Sequence, residues 1–180
     1  MDKHYFVGIP IPLDVAKHLA ETRKGWNLQS HKIYSSPKDM HITLFFIGPA
    51  SEEQISGLID ELSQLKQPQF TLTVKGVETF GNPTTPRVVY AAIEAEPQLF
   101  ELHQEIIEAA KLKDLVGDLK GLVPHITLAK KWGGGETFRT ELEIRPVSFE
   151  VSAFSVFEIQ PQQQPKYKPI STIKLEGETQ

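Results

Sequence analysis

His41-Ile42-Thr43-Leu44 recurs without change as His125-Ile126-Thr127-Leu128. With 6 histidines in 180 residues, two such His-apolar-Thr-apolar tetrapeptides arise by chance in roughly one sequence in 500. On a strand, residues i and i+2 point to the same side. His41 therefore shares a face with Thr43, and His125 with Thr127. Ile42, Leu44, Ile126 and Leu128 point the other way, into apolar packing.

An imidazole titrates near ~6.5, so one histidine of a pair can serve as a base while the other serves as an acid. Threonine hydroxyls can donate to the non-bridging oxygens of a phosphate without adding charge. A base and an acid on opposite sides of phosphorus suit an in-line displacement. One takes a proton from attacking water and the other protonates the departing sugar oxygen, each transfer being worth typically ~10²–10⁴ in rate. A strained 2′,3′-cyclic phosphodiester, whose leaving group is a poor alkoxide, fits that set. The symmetry of the motifs leaves open which histidine plays which part.

A single histidine on a half-apolar strand is ordinarily structural; the identical pair argues otherwise. Zinc would need a third ligand, and the chain has no His-x-x-x-His or His-Glu pair. His4, His18, His31 and His103 lack the pattern, and His18 and His103 fall on helices with polar neighbours, as surface residues. The lysine pairs Lys111/Lys113 and Lys166/Lys168 read as solvated.

Those motifs must be held by a fold. Residues 4–9 predict a strand, closed by Pro10 and Pro12, and the spacing of Val15, Ala16, Leu19 and Ala20 predicts a helix over 12–26. Residues 30–39 read as a loop and 40–47 as a strand buried on both faces. Ser51 and Gln54 fit a capping box, followed by an apolar helical face from Ile55 to Leu65 that ends at Pro68. Residues 70–74 and 87–93 predict an antiparallel hairpin, and Leu99 to Ala110 a third helix. Residues 124–129, a single long strand over 149–157 and a last strand over 169–175 complete about seven strands and three helices. Hairpins mixed with helical crossovers predict an α+β class with largely antiparallel sheet. A helix precedes each motif, so two related halves are expected to face one another across a groove.

The chain has no cysteine, 19 Lys+Arg against 23 Asp+Glu, and a formal net charge of −4. Its length supports one domain with a core of its own. Lack of cysteine excludes a disulfide scaffold, Cys-ligated zinc and thiol chemistry. The acidic balance argues against coating a nucleic acid duplex. It leaves room for one phosphate held by local groups. The opening run is too short and too interrupted for a secretory leader, and no window approaches the ~18 apolar residues of a membrane span. A cytoplasmic monomer of 180 residues in a single two-lobed domain is expected.

The sequence resembles the two-histidine phosphoesterase superfamily, specifically its RNA 2′,3′-cyclic phosphodiesterases, first described as 2′-5′ RNA ligases. The resemblance spans almost the whole chain. It rests on Phe6 to Pro10, His41 to Gly48, Phe80 to Tyr90, Pro124 to Ala129, and Tyr167 with Pro169 and Ile170. It implies a bilobal α+β fold with helices on the outer faces and a groove lined by both motifs. It implies metal-independent, cofactor-free hydrolysis of cyclic phosphates on RNA 3′ ends, or on small nucleotides, to 2′-phosphates. By that resemblance His41 is the proton donor, His125 the proton acceptor, and Thr43 and Thr127 bind phosphate. Other 2′-linked or cyclic nucleotides, reversal to 2′-5′ ligation, and a non-catalytic RNA-end module are the alternatives.

Members often carry arginine in a His-x-Thr-x-x-Arg pattern, where this chain has Lys130. Lysine keeps the charge without the planar fork. Strict alternation points Lys130 away from the motif face unless the strand bends, so it stands as a secondary candidate for a phosphate contact. Alternation likewise places Phe45 near the groove, where it could stack a base.

Overall fold

Each copy of the tetrapeptide opens a strand of its own antiparallel sheet. The computed structural model describes residues 3–117, 121–139 and 141–176. Residues 1 and 2, the start of the run considered as a leader, lie outside them. The element order is β1 (Lys3–Pro10), α1 (Leu13–Gly25), β2 (His31–Tyr34), β3 (His41–Ala50), α2 (Glu52–Leu62), β4 (Phe70–Asn82), β5 (Thr85–Ile93), α3 (Pro97–Leu112), β6 (His125–Trp132), β7 (Val147–Val151), β8 (Ala153–Ile159) and β9 (Tyr167–Lys174). A 3₁₀ turn, Pro37–Asp39, leads into β3.

One sheet has the order β3-β1-β8-β9 and the other β2-β6-β5-β4-β7. In both, a strand, a helix and a motif strand follow in sequence, and the motif strand returns antiparallel beside the first: β1–α1–β3 and β5–α3–β6. The α+β, two-sheet architecture expected from the sequence is therefore present. Two exchanges tie the sheets together. β2, from the first half of the chain, pairs with β6 of the second sheet, while β8 and β9 return to the first.

Helical periodicity does the packing. α1 buries Val15, Ala16, Leu19 and Ala20, α2 buries Ile55, Leu58 and Leu62, and α3 buries Leu99, Leu102, Ile106 and Ala110. These join inward residues of both sheets in one apolar cluster. Truncating a fully buried leucine such as Leu58 is expected to cost ~2–5 kcal/mol. The capping box forms as the sequence predicts: Ser51 Oγ accepts the Gln54 N–H, and Gln54 Oε1 accepts the Ser51 N–H. Among the described residues, no helix is long and apolar enough to cross a membrane.

Three expectations are corrected. The stretch read as a loop contains β2, four residues that alternate too briefly to announce a strand. The long strand over 149–157 is two strands: β7 pairs with β4, and β8 pairs with β1. Their inward residues, Phe149 and Val151 and then Phe154 and Val156, slip by one position at Ser152. The chain changes sheets there. His103, read as a surface residue, is half-buried, and burial lowers its pKa.

Candidate active site

β3 and β6 position the two motifs by the same local device. Along β3, Thr43 lies opposite Gly8 but Phe45 lies opposite Val7, so Leu44 is an extra residue. Along β6, Thr127 lies opposite Tyr90 but Ala129 lies opposite Val89, so Leu128 is the extra residue. A β-bulge of this kind resets the side-chain alternation. Past it, Phe46 and Lys130 rejoin the face of Thr43 and Thr127, and Phe45 and Ala129 turn into the core with 2% and 0% exposure. The expectations from strict alternation are thus reversed: Phe45 is a core residue, and Lys130 faces the site. Gly8 is required at the first bulge, because a Cβ there would stand 2.8 Å from the Ile42 carbonyl oxygen.

The second bulge is braced from α1. The buried guanidinium of Arg23 donates to the carbonyls of Ser35 (2.7 Å) and Leu128 (2.9 Å), and the Ser35 N–H donates to the same Leu128 oxygen at 3.0 Å. Arg23 also lies over the Tyr34 ring, 5.7 Å from its centroid.

Phe6, His41, Thr43, Thr127, Lys130 and Tyr167 are among the walls of a cavity of about 190 Å³. Residues from both sheets thus meet around one space. His125 is not one of its walls; it flanks the cavity two residues before Thr127 on β6. A larger cavity of about 680 Å³ lies between residues 25–30 and 134–139. It contains neither motif, so chemistry rather than volume marks the site.

The histidines are held in matching ways. His41 Nδ1 donates to the Asp39 carbonyl at 2.7 Å, and His125 Nδ1 donates to the Val123 carbonyl at 2.7 Å. A carbonyl can only accept, which assigns the Nδ1–H tautomer to both neutral rings and turns Nε2 toward reaction partners. Thr43 donates its hydroxyl to His41 Nε2 at 3.0 Å. Aromatic rings fix both imidazoles: Phe6 and Tyr167 lie 4.6 and 4.9 Å from the His41 ring, and Phe80 and Tyr90 lie 5.0 and 5.2 Å from His125. Lys130 Nζ donates to the Tyr167 hydroxyl at 3.4 Å.

Burial pushes the His41 imidazole down to about 4, and the nearby His125 and Lys130 add to this, against the opposing pull of the Asp39 carbonyl bond and carboxylate. Burial also lowers His125, outweighing its bond to the Val123 carbonyl. Both shifts favour the neutral ring near pH 7. Among the described residues, no group of three or more His, Cys, Asp or Glu side chains is arranged to hold a metal ion.

The five residues read from the sequence as catalytic or phosphate-binding, His41, Thr43, His125, Thr127 and Lys130, lie at or beside this cavity, and Phe45, read as a base-stacking candidate, does not. Sequence reasoning missed Asp39, Phe6, Phe46 and Arg23. The bond from Asp39 to His41 is made by the main-chain carbonyl, which any residue type can supply, as Val123 does for His125. No side-chain pattern announces it.

Residues 11–162 match the family described as the 2′-5′ RNA ligase superfamily. The chain is 31% identical over 176 residues to an RNA 2′,3′-cyclic phosphodiesterase of Bacillus subtilis (strain 168), covering 96% of each. It is 30% identical over 183 residues to an RNA 2′,3′-cyclic phosphodiesterase of Geobacillus stearothermophilus, where 97% of this chain spans 58% of that longer one. Escherichia coli LigT complexed with 3′-AMP has the same fold, with a TM-score of 0.82 at 21% identity over 97% of this chain and 99% of that one. A Thermus thermophilus protein superposes with a TM-score of 0.74 at 27% identity, covering 98% and 100%. Paired His-x-Thr strands, the shared fold and a match over most of its length show that this chain belongs to the 2′-5′ RNA ligase superfamily, the two-histidine phosphoesterases.

Proposed function

We propose that residues 1–180 act as a single two-lobed unit that hydrolyses 2′,3′-cyclic phosphate ends of RNA to 2′-phosphate ends, without a metal. The observation that carries the reading is the matched pair of imidazoles. Each is locked through Nδ1 to a main-chain oxygen two residues upstream, with a threonine beside it on the same strand face. The names of the relatives supply the substrate class.

In this reaction a water oxygen attacks phosphorus and gives its proton to Nε2 of His125. The bond from phosphorus to O3′ breaks in line, and O3′ takes the proton from Nε2 of protonated His41. The product carries a 2′-phosphomonoester and a 3′-hydroxyl, and exchange with solvent moves the proton from His125 back to His41. Thr43 and Thr127 donate to the non-bridging oxygens, and Lys130 adds a cationic contact. The phosphodiester's own negative charge supplies what His41 lacks when alone: placed beside the ring, it favours the imidazolium. One chain supplies both motifs, so the reaction needs no second copy.

His41→Ala and His125→Ala are each expected to lower turnover of a cyclic-phosphate oligonucleotide by ~10²–10⁴ in excess chelator, with the fold retained. Full activity in either variant, or wild-type activity lost to chelator and restored by zinc, overturns the reading. The roles separate on a phosphodiester with a nitrophenolate leaving group, which departs without a proton. There His41→Ala should lose much less than His125→Ala; the reverse order would exchange the two roles.

A further inference from the structure

Asp39 is 8% exposed and lies two residues before His41. Its carboxylate faces main chain from 127 residues further on: the Lys166 N–H donates to Oδ1 at 3.0 Å and to Oδ2 at 3.3 Å, and the Tyr167 N–H donates to Oδ1 at 3.4 Å. Its own carbonyl accepts from His41 Nδ1 at 2.7 Å. The chain it holds begins β9, and the first side chain of that strand is Tyr167. That ring stands edge-on to His41, with centroids 4.9 Å apart at 78°, and its hydroxyl accepts from Lys130 of the other sheet. Asp39 thus touches the start of the first motif through its main chain and, through Tyr167, the cation beyond the second.

Burying a carboxylate costs several kcal/mol unless hydrogen bonds replace its water. Seating β9 alone would not require a charge there, since a neutral amide could accept both bonds at Oδ1. The charge has a use at His41. Among the described residues, four titratable groups face that ring: Asp39 from the turn before it, His125 and Lys130 from β6, and Tyr167 from β9. Of these, Asp39 is the anion that favours the protonated ring.

We propose that Asp39 is the positioning residue of this active site: it seats Tyr167 between His41 and Lys130 and sets its negative charge near the His41 ring, so that the two sheets present acid and cation to one phosphate. The proposal rests on the reading of His41 and Lys130 as substrate contacts.

The test compares Asp39→Asn, which keeps an acceptor at the Oδ1 place and loses the charge, with Asp39→Ala, which loses both. The first readout is the His41 side chain followed by ¹H–¹⁵N correlation NMR across pH, with no ligand present. The second is KM and kcat on a cyclic-phosphate oligonucleotide. Asp39→Asn should keep KM within about threefold of the wild type, keep the Nδ1–H tautomer, and titrate His41 at a lower pH with a reduced kcat. Asp39→Ala should in addition raise KM by ~10-fold or more, the loss of one charge-assisted contact. An unchanged His41 titration in Asp39→Asn overturns the proposal, and that variant decides alone if the alanine variant does not fold. A folded Asp39→Ala with wild-type KM overturns it too. A wild-type protein that turns over no cyclic phosphate contradicts the proposed function instead, and leaves the NMR comparison to judge Asp39.

Discussion

Phe46 of β3 and Lys130 of β6 occupy the same place in the two sheets. Each stands three residues beyond its motif's threonine, on the far side of a one-residue bulge, and each returns to the cavity. The fold repeats the backbone and varies the side chain. One side of the site offers an aromatic face and the other a cation, a division suited to a ligand with a base at one end and a phosphate at the other.

Lys130→Gln is expected to lower kcat/KM on a cyclic-phosphate oligonucleotide by ~10–100-fold, mostly through KM, since a charge-assisted hydrogen bond is worth ~1.5–3 kcal/mol. Lys130→Arg should recover most of that loss. Steady-state kinetics on the two variants checks it. Equal losses in both would show that the charge is not what the substrate meets.

Phe46 and Phe45 should behave oppositely although they are neighbours. Phe46 is 43% exposed, so Phe46→Ala should leave thermal stability nearly unchanged and raise KM by ~5–100-fold, the worth of one stacked base. Phe45 is 2% exposed, and Phe45→Ala should cost ~3–5 kcal/mol of stability. Paired denaturation and kinetic measurements separate the two.

Arg23→Met should destabilise the protein by about 3 kcal/mol, because it removes the donor to two carbonyls, one of them buried at the second bulge. For a chain of this size that is a fall of roughly 6–12 °C in Tm. Retained Tm would mean that the Ser35 N–H alone holds the Leu128 oxygen.

These contrasts mark how far the sequence can be read. The two motifs, their shared faces, the three helices and the Ser51 capping box are legible because each depends on local spacing. Bulges depend on register with a partner strand, and nothing in residues 41–46 or 125–130 reveals that Leu44 and Leu128 are extra. Strict alternation accordingly puts Phe45 and Lys130 on the wrong sides. The switch of sheets at Ser152 is visible in principle, as a phase slip between Val151 and Phe154. Arg23 and Asp39 act on main chain far away in sequence, and only the folded chain brings those atoms together.

Acid stability should carry the mark of His41. Its folded pKa lies near 4, below the unfolded value of ~6.5, so the unfolded chain binds more protons between those limits. Stability is then full above ~6.5 and falls as pH drops toward ~4. His125, shifted the same way, adds to the loss. Thermal melts across that window should show Tm falling, with a shallower slope in His41→Asn. An identical slope in the variant would show that His41 is not held neutral. Inorganic phosphate should raise the pH at which His41 titrates.

Product analysis on a short RNA ending in a 2′,3′-cyclic phosphate, in excess chelator, tests the two-histidine account most directly, because the position of the remaining phosphate reports which oxygen left. The account predicts a 2′-phosphate as the sole product with the wild type, formed ~10²–10⁴-fold more slowly with His41→Ala or His125→Ala. A 3′-phosphate product, or a 2′-phosphate formed at the wild-type rate by either variant, would contradict it.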